Sequence, residues 1–392
     1  MIKGPCKNNF GDYCAGILAP REARATSLPL LPTRRDKEQA TKPAGKKPSQ
    51  NCRSYFCTVP KTVLSLLGGA VALCAQAQLI NGAGSSFDYP VFTKWFEAYK
   101  AVDSAVHFNY QSVGSGAGQL QLLRQTVDFG ATDAPMTDEN LARGEGKILH
   151  IPVAAGGVAV TYNLPGSPKL NLDGDTIANI YLGNVKSWND ARIAALNPGV
   201  TLPNLAIVPV HRSDGSGTTF IFNDYLGSVN TAWAERVGKG MAVKWPGGIG
   251  LGAKGSEGVA GQVRQIAGGI GYVELAYADK NKMAYANVRN AAGHFISPAP
   301  ESVSAALATT SIPDDFRFSM VNASGDQAYP IAGPSWVLVY QNQTHPETGK
   351  KLVSFLKWAV TEGQKLSPTL DYAPLPEAVQ RRELQLLDSI KY

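Results

Sequence analysis

Cysteine is missing from most of this 392-residue chain. Its five cysteines lie at positions 6, 14, 52, 57 and 74, and residues 78–392 contain none. The main body therefore has no cysteine nucleophile, no cysteine-based zinc site and no disulfide framework. A body without thiols suits an oxidising compartment.

Long apolar runs and an excess of positive charge are also missing from the main body. No stretch reaches the ~20 apolar residues of a membrane-spanning helix, so we expect no direct membrane insertion. Residues 1–77 hold 12 Lys or Arg and 4 Asp or Glu, whereas residues 78–392 hold 25 and 27. The net charge of +6 therefore belongs to the N-terminal segment, and we expect no nucleic-acid partner.

Enzyme signatures are absent as well. The sequence has no Gly-x-Ser-x-Gly elbow and no His-Glu-x-x-His, and its five histidines are at least 43 residues apart. Residues 250–255 match the dinucleotide fingerprint by count, but they follow Trp-Pro-Gly-Gly rather than a strand, which indicates a chance match. We expect no catalytic residue, no metal and no cofactor.

The N-terminal region resembles a displaced export signal. Residues 59–77 contain Lys61, a 12-residue apolar stretch and the small-x-small sequence that ends at Ala77, so we expect a signal peptide cleaved near Ala77 and an exported protein. Because a signal should begin the chain, translation is expected to start at residue 59. Residues 1–58 are then a non-globular basic extension, read in error from upstream of the gene; the alternative is a genuine disordered extension.

The body alternates strand and helix patterns, which predicts an α/β fold with largely parallel sheets. Breaks rich in Gly, Pro and Ala divide it into one domain of residues 78–154 with 329–392 and another of residues 155–328. Strands are predicted at 108–113, 127–133, 156–164, 206–211, 270–275 and 335–341. Helices are predicted at 118–127, 219–229, 259–267, 348–365 and 377–390, with a further one bearing Phe92, Trp95, Phe96 and Tyr99.

Three loops rich in Gly and Ser each precede a predicted helix, at residues 82–87, 114–118 and 214–218. A helix N-terminus presents free N–H groups, and glycine lets the backbone approach a ligand closely. One such loop is usually only a helix cap, but three in one chain predict an anion site. None is followed by Gly-Lys-Ser/Thr, so none is a nucleotide P-loop.

Charged residues lie next to these loops. Arg212 could bind an oxyanion through two parallel hydrogen bonds, with Asp214 fixing its plane. A surface ion pair is the alternative for these two residues. Asp133 follows a predicted strand in Gly-Ala-Thr-Asp-Ala-Pro, where an Asx turn is the alternative.

These segments together resemble the periplasmic phosphate-binding proteins of bacterial high-affinity phosphate ABC transporters. The resemblance also includes residues 128–135, 244–246 and 269–274, and it extends from about residue 80 to the C-terminus. It implies a two-lobed fold of the periplasmic-binding-protein type II, with two α/β domains joined by hinge strands around a central cleft. It also implies a periplasmic location, phosphate capture, a monomer and permease subunits as partners.

The resemblance assigns the phosphate ligands as Ser86, the N–H of Phe87, Ser115, Asp133, Arg212 and the turn formed by Ser216, Gly217 and Thr218, with Asp214 holding Arg212. Ser86 stands where the family often has Thr, and Gly116-Ala117 stands where Ser-Gly is common, which loses one possible donor. An ionised Asp133 accepts hydrogen bonds only, so it favours phosphate, which carries a proton at neutral pH, over sulfate. The alternatives are a binding protein for another oxyanion, a phosphate-ester hydrolase that uses Ser86 or Ser216, and a role in adhesion.

Overall fold

Strands and helices alternate along the part of the chain that the computed structural model describes, residues 78–248 and 250–392. The predicted signal and the segment before it lie outside these residues. The strands are β1 (Gln78–Gly84), β2 (Val106–Ser112), β3 (Phe129–Thr132), β4 (Ile148–Tyr162), β5 (Asn171–Leu172), β6 (Val208–Arg212), β7 (Leu251–Ala253), β8 (Gly269–Glu274), β9 (Ala284–Tyr285), β10 (Asn287–Arg289), β11 (Phe295–Ile296), β12 (Ala332–Tyr340) and β13 (Tyr372–Ala373). The α/β class predicted from the sequence is confirmed.

The helices are α1 (Tyr89–Tyr99), α2 (Ser115–Leu123), α3 (Asp138–Leu141), α4 (Gly174–Tyr181), α5 (Ala191–Leu196), α6 (Gly217–Val229), α7 (Thr231–Arg236), α8 (Gly255–Gln265), α9 (Leu275–Lys280), α10 (Pro300–Ala308), α11 (Pro346–Ala359) and α12 (Glu377–Asp388). Short 3₁₀ segments cover Pro246–Gly248 and Glu362–Leu370. Within the described residues, no helix combines the length and apolar character needed to cross a bilayer.

The main sheet has the strand order β2-β1-β3-β12-β4-β8-β6-β7. Pairing is parallel between β1 and its neighbours β2 and β3, and between β6 and its neighbours β7 and β8. The prediction of largely parallel pairing is therefore correct only for these two groups of strands. The two central strands β12 and β4 run antiparallel to their neighbours, so the sheet as a whole is mixed.

Strand β4 connects the two parallel groups. Its first part, up to Gly157, pairs with β12 and β13, and its last part, from Val158, pairs with β8 and β9. All fifteen of its residues are buried. Strands that are buried on both faces have near-continuous apolar sequences rather than alternating ones. The sequence pattern predicts a strand only from residue 156, because residues 152–155 interrupt the pattern and indicate a domain boundary.

The region after β12 differs from the single helix predicted at 348–365. Helix α11 ends at Ala359, and a 3₁₀ segment follows from Glu362. The side-chain amide of Gln364 donates to the carbonyls of Ala359 and Val153, at 2.9 and 2.8 Å, so it takes the place of a continuing helical turn. Pro368 lies within the following segment and has no backbone N–H to donate.

Helix α1 shows how the sheet is covered. Val91, Phe92, Trp95 and Tyr99 repeat at helical spacing and are buried against the β1–β2–β3 group. The indole N–H of Trp95 donates to the carbonyl of Gly363 at 2.8 Å, which ties α1 to the C-terminal region. This packing fixes the N-terminus of α1 at the carboxyl end of β1.

Candidate functional site

The N-termini of helices α1, α2 and α6 meet where strands β1, β2 and β6 end. The backbone N–H of Gly116 donates to the carbonyl of Gly215 at 2.9 Å, which joins the second predicted loop to the third. The N–H of Gly217 donates to the hydroxyl of Ser115 at 3.1 Å. The structure therefore brings together loops that are a hundred residues apart in sequence, as an anion site requires.

Asp133 lies directly after β3 at the centre of these loops and is only 2% exposed. Its Oδ1 accepts hydrogen bonds from the hydroxyls of Ser85 and Ser335, at 2.5 and 2.8 Å, and its own N–H donates to Ser115 at 3.2 Å. Burial raises the pKa of Asp133 to about 6, against the opposing effects of the two hydroxyls and of Arg212. The carboxyl is therefore ionised at neutral pH and protonated in mild acid.

Arg212 is the cation of the site. It ends β6, is buried, and forms a two-point pair with Asp214, from Nε to Oδ1 at 2.8 Å and from Nη2 to Oδ2 at 2.6 Å. Burial alone would raise the pKa of Asp214. The hydrogen bond and charge of the Arg212 guanidinium outweigh this effect, so the pKa of Asp214 lies below its usual value. The pair fixes the plane of the guanidinium and leaves its Nη1 edge for another partner.

Helix α6 supplies the remaining donors. The hydroxyl of Ser216 caps this helix by accepting from the N–H of Thr219 at 3.1 Å. The hydroxyl oxygen of Thr218 is buried and has no hydrogen-bond partner among the described residues. A buried hydroxyl in this state is unusual, and it marks Thr218 as a ready contact for a ligand.

Close approach requires glycine at two positions of the site. A Cβ on Gly217 would lie 2.6 Å from Cβ of Asp133, and a Cβ on Gly114 would lie 2.4 Å from Oδ2 of Asp214. Gly114 also has a φ of +92°, which other residues rarely adopt. The two glycines therefore let the loop of Arg212 lie directly against Asp133 and against the loop of Ser115.

The first predicted loop is arranged differently from the expectation. The N–H of Phe87 donates to the hydroxyl of Ser85 at 2.9 Å, and the hydroxyl of Ser86 lies 3.0 Å from that of Ser256. In this structure both predicted donors are therefore engaged by protein groups. Their assignment as phosphate ligands stays a prediction.

Helix α8 was not predicted to reach the site. The N–H groups of Gly255 and Ser256 at its start donate to Asp214 at 3.1 Å and to the hydroxyl of Ser86 at 3.2 Å. A Gly-Ser pair before a helix is the same signal as in the other loops, but it was hidden in the apparent dinucleotide fingerprint. Strand β7 lies inside that motif rather than before it, which is not the fingerprint arrangement.

Two further side chains near Asp133 gave no usable sequence signal. Ser335 lies inside the apolar strand β12, and Asp88 precedes α1 in an ordinary helix-capping position. Both are fully buried. Within residues 78–248 and 250–392, no three His, Cys, Asp or Glu side chains are placed to hold a metal ion.

The site can bind an oxyanion. Arg212, the Thr218 hydroxyl and several helix N-termini supply donors in a buried setting, where such hydrogen bonds are strong. Asp133 adds a single acceptor, which suits a ligand that itself carries a proton.

Known proteins resemble this chain in both sequence and structure. A family model described as a PBP superfamily domain matches residues 42–362. The phosphate-binding protein PstS of Pasteurella multocida is 43% identical over 334 residues, which cover 84% of this chain and 96% of the relative. The phosphate-binding protein PstS of Xylella fastidiosa (strain 9a5c) is 45% identical over 303 residues, covering 76% and 81%.

A solved structure shares the fold. It is that of a high affinity periplasmic phosphate-binding protein (PfluDING) bound with phosphate, and it superposes with a TM-score of 0.65 at 21% identity. The match covers 78% of this chain and 92% of that one. The two-lobed binding-protein fold expected from the sequence is therefore confirmed.

Proposed function

The chain belongs to the PBP superfamily and, within it, to the PstS phosphate-binding proteins, and from that premise we propose that it captures inorganic phosphate in a closed cleft and delivers it to the permease of an ABC importer. It is a binding protein and not an enzyme. The residues that bind phosphate are those that the resemblance assigned in the sequence analysis, together with Ser256. Asp214 acts by holding Arg212.

One observation carries the choice of phosphate. Asp133 places a buried carboxylate among donors that otherwise suit any oxyanion. Phosphate at neutral pH carries a proton that this carboxylate accepts. Sulfate carries none, so a sulfate oxygen would face the carboxylate without a proton between them, which costs several kcal/mol.

The two lobes would consist of residues 78–154 with 329–392 and of residues 155–328. The change of pairing partners along β4, between Gly157 and Val158, lies within a few residues of the first proposed boundary and supports this division. Strand β4 and the start of β12 would then be the hinge strands, around which such proteins close on a ligand.

Export and assembly follow from the same function. A periplasmic protein would lose its signal near Ala77 and act as a monomer that meets the permease. N-terminal sequencing of the exported protein tests the cleavage: we expect a start at residue 78, and any peptide from residues 1–58 contradicts the proposed start of translation. Light scattering on the protein as it elutes from a gel-filtration column measures its molar mass and tests whether it is a monomer.

Calorimetry tests the binding function. The purified protein is freed of phosphate by unfolding and refolding, then titrated at pH 8 with phosphate and, separately, with sulfate. We expect one phosphate per chain and no heat from sulfate. Equal binding of sulfate would mean that the protein serves another oxyanion rather than phosphate. Binding of neither anion would contradict the proposed phosphate-binding function.

A further inference from the structure

The hydroxyl of Ser335 lies between two buried carboxyl groups. Its Oγ is 2.8 Å from Oδ1 of Asp133 and 2.6 Å from Oδ2 of Asp88, and the carbonyl of Thr132 is a third neighbour at 3.1 Å. Asp88 is fully buried, and although it precedes α1, its side chain makes no capping hydrogen bond to that helix. It points instead toward the site.

Counting protons shows that these carboxyls differ. A serine hydroxyl has one hydrogen and can donate it to one oxygen at a time. If both carboxyls were ionised, one short contact would join two lone pairs with no proton between them, inside a buried region. One carboxyl must therefore be protonated and donate to Ser335, which then donates to the other.

The surroundings place that proton on Asp88. Asp133 receives a second hydrogen bond from Ser85 and lies near the cation Arg212, both of which favour its ionised form. Oδ1 of Asp88 has no partner among the described residues, and its facing groups are acids: Asp133 and Glu274, with the phenols of Tyr110 and Tyr372. Burial, and next the charge of Asp133, hold the pKa of Asp88 well above its usual range.

We propose that Asp88 is a positioning residue that stays protonated and, through Ser335, keeps Asp133 ionised as the proton acceptor of the anion site. This inference rests on the function proposed above. A hydrogen-bond chain then runs in one direction, from the Asp88 O–H to Ser335 and from the Ser335 O–H to Oδ1 of Asp133. The ligand's own proton goes to Oδ2 of Asp133, whose neighbour among the site residues is the Ser115 hydroxyl at 3.5 Å. The chain would set the pH range over which the site prefers a protonated oxyanion.

Infrared difference spectroscopy on the full chain reads the proton directly. The spectrum of wild type minus Asp88→Asn at pH 7 should show the loss of a protonated carboxyl C=O band and no change in the carboxylate bands. Loss of carboxylate bands instead would overturn the proposal. This measurement needs no phosphate, so its result stands apart from the binding function.

Phosphate affinity as a function of pH tests the link to Asp133. Ser335→Ala removes one donor to Asp133, so its pKa should rise and the low-pH loss of affinity should move up by roughly one pH unit. Asp88→Asn keeps an N–H for Ser335, so its profile should follow the wild type within about twofold. Each variant is compared with wild type at the same pH, because free phosphate also titrates.

Ser302→Ala is the matched control, since Ser302 is a buried serine of α10, outside the site, whose hydroxyl donates to the backbone carbonyl of Ser297 at 2.8 Å. Its profile should be unchanged. A profile of Ser335→Ala that matches wild type would overturn the proposal, as would a shift of Asp88→Asn to lower pH. If Asp88→Asn does not fold, the Ser335→Ala profile decides. Failure of the wild type to bind phosphate would overturn the binding function and leave the infrared result valid.

Discussion

At the residue scale, Asp133 changes from acceptor to donor within an accessible pH range. Its pKa of about 6 means that it accepts hydrogen bonds above pH 7 and, once protonated, donates one below pH 6. We therefore expect sulfate to bind far more weakly than phosphate at pH 8 and to compete measurably at pH 5. Competition calorimetry at the two pH values checks this. Asp133→Asn, which offers an N–H at every pH, should bind sulfate equally at pH 8 and pH 5. A wild-type protein that rejects sulfate at pH 5 would contradict the prediction.

The same titration should appear in the stability of the phosphate-free protein. The folded pKa of Asp133 lies above its ordinary value of 3.8, so the native state holds more protons than the unfolded state between about pH 4 and 6. This carboxyl therefore lowers stability as pH rises through that window. Asp133→Asn should unfold at a higher temperature than wild type at pH 8, and this gain should shrink as the pH falls and be largely lost at about pH 4. A gain of equal size at both pH values would contradict the sign.

Arg212 invites a comparison with a second Arg–Asp pair. Arg192 forms the same kind of two-point contact with Asp190, two residues away, but on the surface. Arg212→Ala should weaken phosphate binding by about a hundredfold or more, since a buried anion loses its cation. Arg192→Ala should leave the affinity unchanged, because exposed ion pairs contribute little. Titration of both variants checks this, and similar losses would remove Arg212 from the site.

At the scale of elements, helix α2 lies unusually close to the strands that it covers. A Cβ on Gly118 would lie 2.5 Å from Cα of Gly84 and 2.7 Å from the carbonyl oxygen of Ala83. Gly118→Ala should therefore push the helix away, lower the free energy of unfolding by about 1–3 kcal/mol and weaken phosphate binding, because Ser115 moves with the helix. Chemical denaturation and calorimetry measure the two effects.

Gly261 provides the matched control. It lies inside α8, and a Cβ there would meet nothing within 4 Å. Gly261→Ala should be neutral or stabilising by about 0.5–1 kcal/mol, because alanine is the better helix former. If both substitutions had the same effect, close packing of α2 would not be the cause.

Elements with strong local patterns could be predicted from the sequence, and those that depend on distant partners could not. The apolar spacing of α12 and the Gly-Ser start of α6 predicted helices that the structure confirms within two residues. The predicted end of α11 was wrong because the side-chain amide of Gln364 donates to the carbonyl of Ala359, the last residue of the helix. Local periodicity does not report such a contact.

The same distinction applies to the site. The loops around Ser115 and Arg212 are visible as Gly-Ser runs before helices, and the structure brings them together. The contacts of Asp133 with Ser335 join residues 202 positions apart. Nothing in an apolar strand marks one serine as a partner of a distant carboxylate, so this part of the site became visible only in the fold.

At the scale of the whole molecule, contacts across the cleft should govern ligand release. The phenol of Tyr277 on α9 donates to the carbonyl of Ser86 at 2.7 Å, and these residues belong to different proposed lobes. Tyr277→Phe removes this hydrogen bond, worth about 1 kcal/mol, without changing any predicted phosphate ligand. The closed state should lose stability relative to the open one, and phosphate should leave about fivefold faster. Stopped-flow release measurements check this rate.

Tyr162→Phe separates loss of closure from loss of a buried hydrogen bond in general. The phenol of Tyr162 donates to the carbonyl of Pro168 at 2.5 Å, and both residues lie in one proposed lobe. This variant should lower the unfolding temperature but leave the release rate of phosphate unchanged, because the bond is present whether the cleft is open or closed. Faster release from both variants would mean that overall stability, rather than contact between the lobes, sets how long phosphate stays bound.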